Sequence, residues 1–205
     1  MAAAIGDSRG KSNVLRIVNI DKDEVLKKLK DGKAKMHSKY VSRSVIFEID
    51  TAQSNALNES EKRYNTWMKI NDDNGSVSIQ LRHMPSPRKL PVEHIISVSD
   101  FITAVKIARA VLHAVNYSYI EVGKETYDLD GRSITIIEWP YMKCELSIEG
   151  KSTADAMKVY RELRINGTIS HKLDLPHSVY YRLEGLDFDN IRKHYNKKLD
   201  RLLEE

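Results

Sequence analysis

The run Asp72-Asp-Asn-Gly75 constrains this chain most. Asn-Gly takes positive φ at little cost, and the runs Asn65 to Asn71 and Ser76 to His83 on either side are rich in strand-forming residues, so the segment reads as a tight β-hairpin. Asp130-Gly131 offers a second turn between Tyr117 to Leu129 and Ser133 to Glu138, and Cys144 to Ile148 follows as a further strand. Val14 to Ile20, Lys39 to Asp50 and Val92 to Val98 add three more apolar or alternating runs, while 51–62 is polar enough to be a loop. Strands joined this closely pair antiparallel, because parallel neighbours need long crossovers.

Helices punctuate the strands. Asp21-Lys-Asp-Glu24 places carboxylates at a helix start, and the helix closes near Gly32 after several lysines. Ser99 is placed to cap a second helix carrying Ile102, Val105, Ala108, Leu112 and Val115 at helical spacing. Ser152 opens a third, with Asp155 in the position of a capping-box partner and Gly167 beyond its end. Ile191, Tyr195, Leu199 and Leu202 form the apolar stripe of an amphipathic helix over 187–204, expected to dock on the body of the protein. The expected organisation is a flexible tail over 1–12 and one α+β domain over 13–205.

Composition narrows the function classes. With 33 Lys and Arg against 29 Asp and Glu in 205 residues, the net charge of +4 gives no specific nucleic-acid signal. The single Cys144 excludes an internal disulfide and a CxxC zinc site and suits a reducing compartment. No window has the apolar length of a membrane span or a secretory leader, so a cytoplasmic protein without membrane association is expected. Gly6 to Ser12 only imitates a phosphate-binding P-loop: Gly6 and Gly10 are one residue too close, and no strand precedes them. The seven histidines form no HxH or HExxH pattern.

From Val14 to Leu163 the order of segments resembles the CYTH superfamily, the triphosphate tunnel metalloenzymes that include class IV adenylyl cyclases and thiamine triphosphatases. Glu125-Thr-Tyr-Asp-Leu-Asp-Gly131, Ile134-Thr-Ile-Ile-Glu-Trp-Pro140 and Leu146-Ser-Ile-Glu-Gly150 are similar to the family's ETYxLDG, VTLDxWP and LEIEG segments. Arg16 to Asp21 with its helix, and Val98 to Phe101, are softer matches. The resemblance implies an antiparallel β-barrel of about eight strands with surrounding helices, whose inward residues line a tunnel. It also implies bases that hold a triphosphate and acids that hold Mg2+ or Mn2+.

The sequence departs from the family at the acids. The opening ExExK falls on Ser12-Asn-Val14-Leu-Arg16, the aspartate of VTLDxWP on Ile137, and the first acid of LEIEG on Ser147. Glu138 cannot replace an acid at 137, since adjacent strand residues face opposite ways, whereas Glu145 shares the parity of Ser147 and Glu149. By resemblance the phosphate-binding residues are Arg16, Lys69, Arg82 and Lys124, and the remnant metal ligands are Glu149, Glu145 and Glu93. Inward Val14, Val18, Trp67, Ile95 and Ile137 would fill part of the tunnel. The competing explanation makes the four bases ordinary ion-pair partners of those three acids, and Tyr127 and Trp139 packing anchors.

The preferred expectation is a divergent, non-catalytic CYTH-like protein that binds a nucleotide or another phosphorylated small molecule in a basic tunnel. One alternative is a metal-dependent triphosphatase or class IV adenylyl cyclase-like enzyme with a remodelled site, requiring Mg2+ or Mn2+. Another is a scaffold for protein contacts. Related cyclases make a homodimer an expectation by analogy.

Overall fold

A computed structural model describes residues 13–49, 66–83, 92–112, 116–170, 181 and 185–204. The expected tail over 1–12, the loop over 51–62, Asn65 and Val115 lie outside the described residues. Nine strands run as β1 (Val14–Ile20), β2 (Lys35–Glu48), β3 (Thr66–Asp73), β4 (Ser76–His83), β5 (Val92–Val98), β6 (Tyr117–Leu129), β7 (Arg132–Glu138), β8 (Cys144–Glu149) and β9 (Thr168–Ser170). The helices are α1 (Lys22–Asp31), α2 (Phe101–Leu112), α3 (Thr153–Leu163) and α4 (Phe188–Glu204).

All nine strands belong to one sheet, in the order β5-β4-β3-β2-β6-β7-β8-β1-β9. The α+β antiparallel fold is as expected, with one strand more than the expected eight and no ring of hydrogen bonds closing the sheet among the described residues. Both turns form as their residues dictate: Asn74 and Gly75 have φ of 57° and 85°, and Asp130 and Gly131 have 54° and 75°. The added strand, β9, is three residues long and pairs with β1. It is too short to carry an alternation.

The chain divides into two compact units, Arg43–Ile120 with Leu175–Glu205 (and Met1–Asp7), and Ser8–Ser42 with Glu121–Asp174. In the Glu121–Asp174 unit, Leu15, Ile17, Ile134, Ile136, Leu146 and Ile148 form one face of the sheet and pack with Val25 and Leu29 of α1 and Ala156, Val159 and Leu163 of α3. Each leucine or isoleucine withdrawn from water in this way stabilises the fold by roughly 1.5–3 kcal/mol. In the Arg43–Ile120 unit, Val45, Phe47, Ile70, Val77 and Tyr119 pack with Phe101, Ala104, Val105 and Ala108 of α2 and Leu199 of α4.

Helix ends show where local chemistry competes. Asp21 caps α1 by accepting from Glu24 N–H, and Gly32 closes it. The cap of α2 is Asp100, not Ser99: its Oδ1 accepts from Thr103 N–H at 2.6 Å and its carbonyl accepts from Ala104 N–H. Asp is as good a cap as Ser, and it sits one residue nearer the first turn. Ser152 caps α3 by accepting from Asp155 N–H. Asp155 accepts from Lys151 N–H and from Arg132, so the reciprocal half of the expected box is redirected to β7.

Gly167 has a different role from the expected helix stop. Arg164, with φ 49°, closes α3. A Cβ on Gly167 would stand 2.4 Å from Ile17 Cγ2 and 3.0 Å from Ile20 Cγ2, so glycine there lets the chain press against β1. Replacing it should displace a fully buried isoleucine. Gly167→Ala is expected to lower the free energy of unfolding by about 1–3 kcal/mol, read as a shift in the urea midpoint at unchanged m-value.

Candidate functional site

In the Glu121–Asp174 unit the β7–β8 ladder pairs Ser133 with Glu149, Thr135 with Ser147 and Ile137 with Glu145. Because Ile134, Ile136, Leu146 and Ile148 all face the helices, these partners share the opposite face. Lys124 and Thr126 of β6 join it opposite Ile137 and Thr135, and Arg16 of β1 joins it opposite Ser147. The residues picked out in this unit therefore share a face: Arg16 and Lys124 with Glu145 and Glu149. Glu138 points to the other face, as strand parity requires.

Glu145 is 2% exposed, and it is engaged: Arg16 Nε lies 3.6 Å from its Oε1, and the Trp139 indole N–H donates to its Oε2 at 3.3 Å. Breaking such a buried pair is costlier than never having formed it. Arg16 is thereby oriented on this face. Lys124 Nζ lies 5.9 Å from the centre of the Tyr40 ring, a cation–π contact. Glu149 is exposed at the far end of β8.

This face does not suit a divalent metal. Its carboxylates among the described residues are Asp128, Glu145 and Glu149; Glu145 is tied to Arg16, Asp128 accepts from Gly131 N–H in the turn, and Ile137 and Ser147 stand where the resemblance expects acids. Among the described residues no three of His, Cys, Asp and Glu gather as a metal site would need. Cys144 offers no reactive thiol, since burial pushes its pKa up.

The Arg43–Ile120 unit carries the other candidates. Trp67 pairs with Arg82 and Arg82 with Glu93, while Lys69 lies opposite Gln80 and Gln80 opposite Ile95. Lys69, Arg82 and Glu93 thus share the face turned away from the α2 core. The Arg82 guanidinium sits 5.8 Å from the Trp67 ring centre, and Gln80 donates to Glu93. Of the apolar residues expected on this parity, Trp67 is buried, Val14, Val18 and Ile137 are half-buried, and Ile95 is exposed. Ile95 lies on β5, the end strand of the sheet, whose only paired neighbour among the described residues is β4.

One cluster escaped sequence reasoning. Lys22 Nζ donates to Glu125 Oε1 at 2.9 Å and to Glu138 Oε1 at 2.5 Å, Lys39 Nζ lies 2.7 Å from Glu125, and the Tyr127 hydroxyl donates to Glu125 at 3.1 Å. Lysine in the first turn of a helix opposes the helix dipole, so these carboxylates account for its presence there. The available signal was Glu125 itself, an acid on the strand parity of Tyr127. Hydrogen bonds from Lys39 and then Lys22 overcome burial and hold the Glu125 carboxyl down to about 2. Burial disfavours the Lys22 ammonium, but bonds to Glu138 and Glu125 outweigh it and hold its pKa above the ordinary lysine value.

Because the folded pKa of Glu125 is depressed, its stabilisation is complete above the unfolded carboxylate pKa and is lost as pH falls toward about 2. Glu125→Gln is expected to cost about 1–3 kcal/mol near pH 7. The gap from the parent protein should narrow between about pH 4.5 and pH 2, as followed by urea denaturation across pH.

No protein-family model matches the sequence, and no curated protein matches it. Solved structures do. The chain shares the fold of these proteins. It is similar to the PH1012 protein of Pyrococcus horikoshii OT3 at TM-score 0.55 and 14% identity, covering 78% of this chain and 94% of that one. A candidate adenylate cyclase of Vibrio parahaemolyticus aligns at TM-score 0.54 and 9% identity, over 78% and 92% of the two chains. HpAC1 of Hippeastrum, described as having a dominant triphosphatase activity, aligns at TM-score 0.54 and 9% identity, over 84% and 95%.

Proposed function

We infer that this chain, taken as one domain over 13–205, is a non-catalytic CYTH-like protein that binds a phosphorylated small molecule, a nucleotide among the candidates, without a divalent metal. The observation that carries the inference is the face shared by Arg16, Lys124, Glu145 and Glu149. It keeps bases suited to phosphate oxygens, while Ile137 and Ser147 stand where the resemblance expects acids, Glu145 serves Arg16, and the acids left among the described residues do not gather as a metal site. Lys69 and Arg82 share one strand face of the Arg43–Ile120 unit and are candidate phosphate-binding bases of that unit in their own right. The CYTH fold supports the assignment, and the triphosphatase activity described for HpAC1 gives the relevant ligand chemistry.

On this account the bases fix the ligand by charge-assisted hydrogen bonds and Glu145 keeps Arg16 in position. No bond in the ligand is broken. ATP, cyclic AMP, thiamine triphosphate and inorganic triphosphate form the test panel, each with and without Mn2+. At least one is expected to raise the melting temperature equally in both conditions, and Arg82→Ala should reduce the shift. Metal-dependent turnover that disappears in Glu149→Ala would replace this account with the enzyme alternative. Absence of any shift across the panel would favour a scaffold.

A further inference from the structure

Within the Arg43–Ile120 unit, α4 and the start of β6 enclose an open cleft of about 330 Å³ whose wall includes Asn116, Tyr117, Lys193, Asn196 and Lys197. Its frame is held from several directions. Asn196 accepts from Tyr119 N–H at 2.9 Å and donates to the Tyr117 carbonyl at 3.1 Å, riveting α4 to β6. The Asn116 carbonyl accepts from Glu48 N–H at 2.9 Å. The Tyr117 ring is stacked by Arg109, whose guanidinium lies 5.1 Å from its centre, and lies 5.9 Å from the Phe47 ring.

Charge within this frame is unbalanced. The one carboxylate on the wall, Asp200, is engaged by Arg109 at 2.9 Å and by the Tyr117 hydroxyl at 3.3 Å. Arg192 is paired with Asp189 at 3.0 Å. Lys193 and Lys197 have no carboxylate partner among the described residues, both line the cleft, and their i, i+4 spacing puts them on one face of α4. Two ammonium groups beside the Asn116 carboxamide can meet a doubly charged group with several acceptor oxygens. The volume lies at the small end of small-molecule sites, which suits a compact organic phosphate rather than an extended polymer.

We propose that the cleft between α4 and the start of β6 is a second anion site, separate from the strand faces that carry Arg16, Lys124 and Arg82, which takes the phosphate group of a small phosphorylated molecule through Lys193 and Lys197. Neither lysine is needed for the core, since both are exposed. Charge reversal should therefore leave the fold intact.

The probe is inorganic phosphate, added to the full 15N-labelled chain at constant ionic strength and followed by amide chemical shifts. Saturable shifts are expected at Asn116, Lys193, Asn196 and Lys197. The Lys193→Glu/Lys197→Glu double variant should weaken binding at least tenfold while leaving the remaining amide peaks in place. The same shifts should persist in Arg82→Ala, which separates this site from the one proposed on the strand faces. Shifts reproduced by sodium chloride, or surviving the double variant, would overturn the proposal. Stronger and saturable binding of polyglutamate than of phosphate would also overturn it, in favour of an acidic polypeptide.

Discussion

The in-register ladder between β7 and β8 fixes two faces with a single set of hydrogen bonds. One face collects Ile134, Ile136, Leu146 and Ile148, none of which keeps more than a trace of solvent contact. Their burial against α1 and α3 holds Ile137, Thr135, Glu145 and Ser147 on the other. A slip of β8 by one residue would turn Glu145 and Ser147 toward the helices and Leu146 and Ile148 away from them. The strong apolar demand of one side therefore protects the weaker polar arrangement on the other. Arg16 depends on this too, since it reaches Glu145 only because Leu15 and Ile17 anchor β1 to the same core.

β1 shows how the arrangement tolerates an irregularity. Pairing with β8 runs regularly from Val14 to Ile17, then shifts before Ile20. Asn19, with φ 62°, occupies the shift, a conformation that asparagine adopts more readily than most residues. The extra residue returns Ile20, instead of Asn19, to the core side. Position 16 lies before the shift, so the face that carries Arg16 is undisturbed.

Much of this was legible in the sequence because the signals were local. Asn74-Gly75 and Asp130-Gly131 each specify a turn through their own backbone preferences, and Asp21 caps α1 through an oxygen three residues from the group it binds. The parity linking Glu145 to Ser147 and Glu149 follows from the pleat, and the structure preserves it. What escaped depended on distant residues. Lys22 and Glu125 are 103 positions apart, and nothing near Gly167 announces that Ile17 will lie against it. β9 exists because β1 offers an edge, a fact absent from its own three residues. The choice between Ser99 and Asp100 lay within the usual uncertainty of a helix start.

The way α4 enters the core of the Arg43–Ile120 unit has a consequence for the order of events during synthesis. Leu199 is fully buried there, and Asn196 binds the backbone of a residue 77 positions earlier. At 5–20 residues per second, roughly 4–15 s separate the emergence of β6 from that of the helix that completes its packing. Throughout that interval Tyr119 lacks the Tyr195 ring that packs against its edge. Premature termination before α4 would leave the same surface permanently exposed, making truncated chains ready clients for chaperones and proteases.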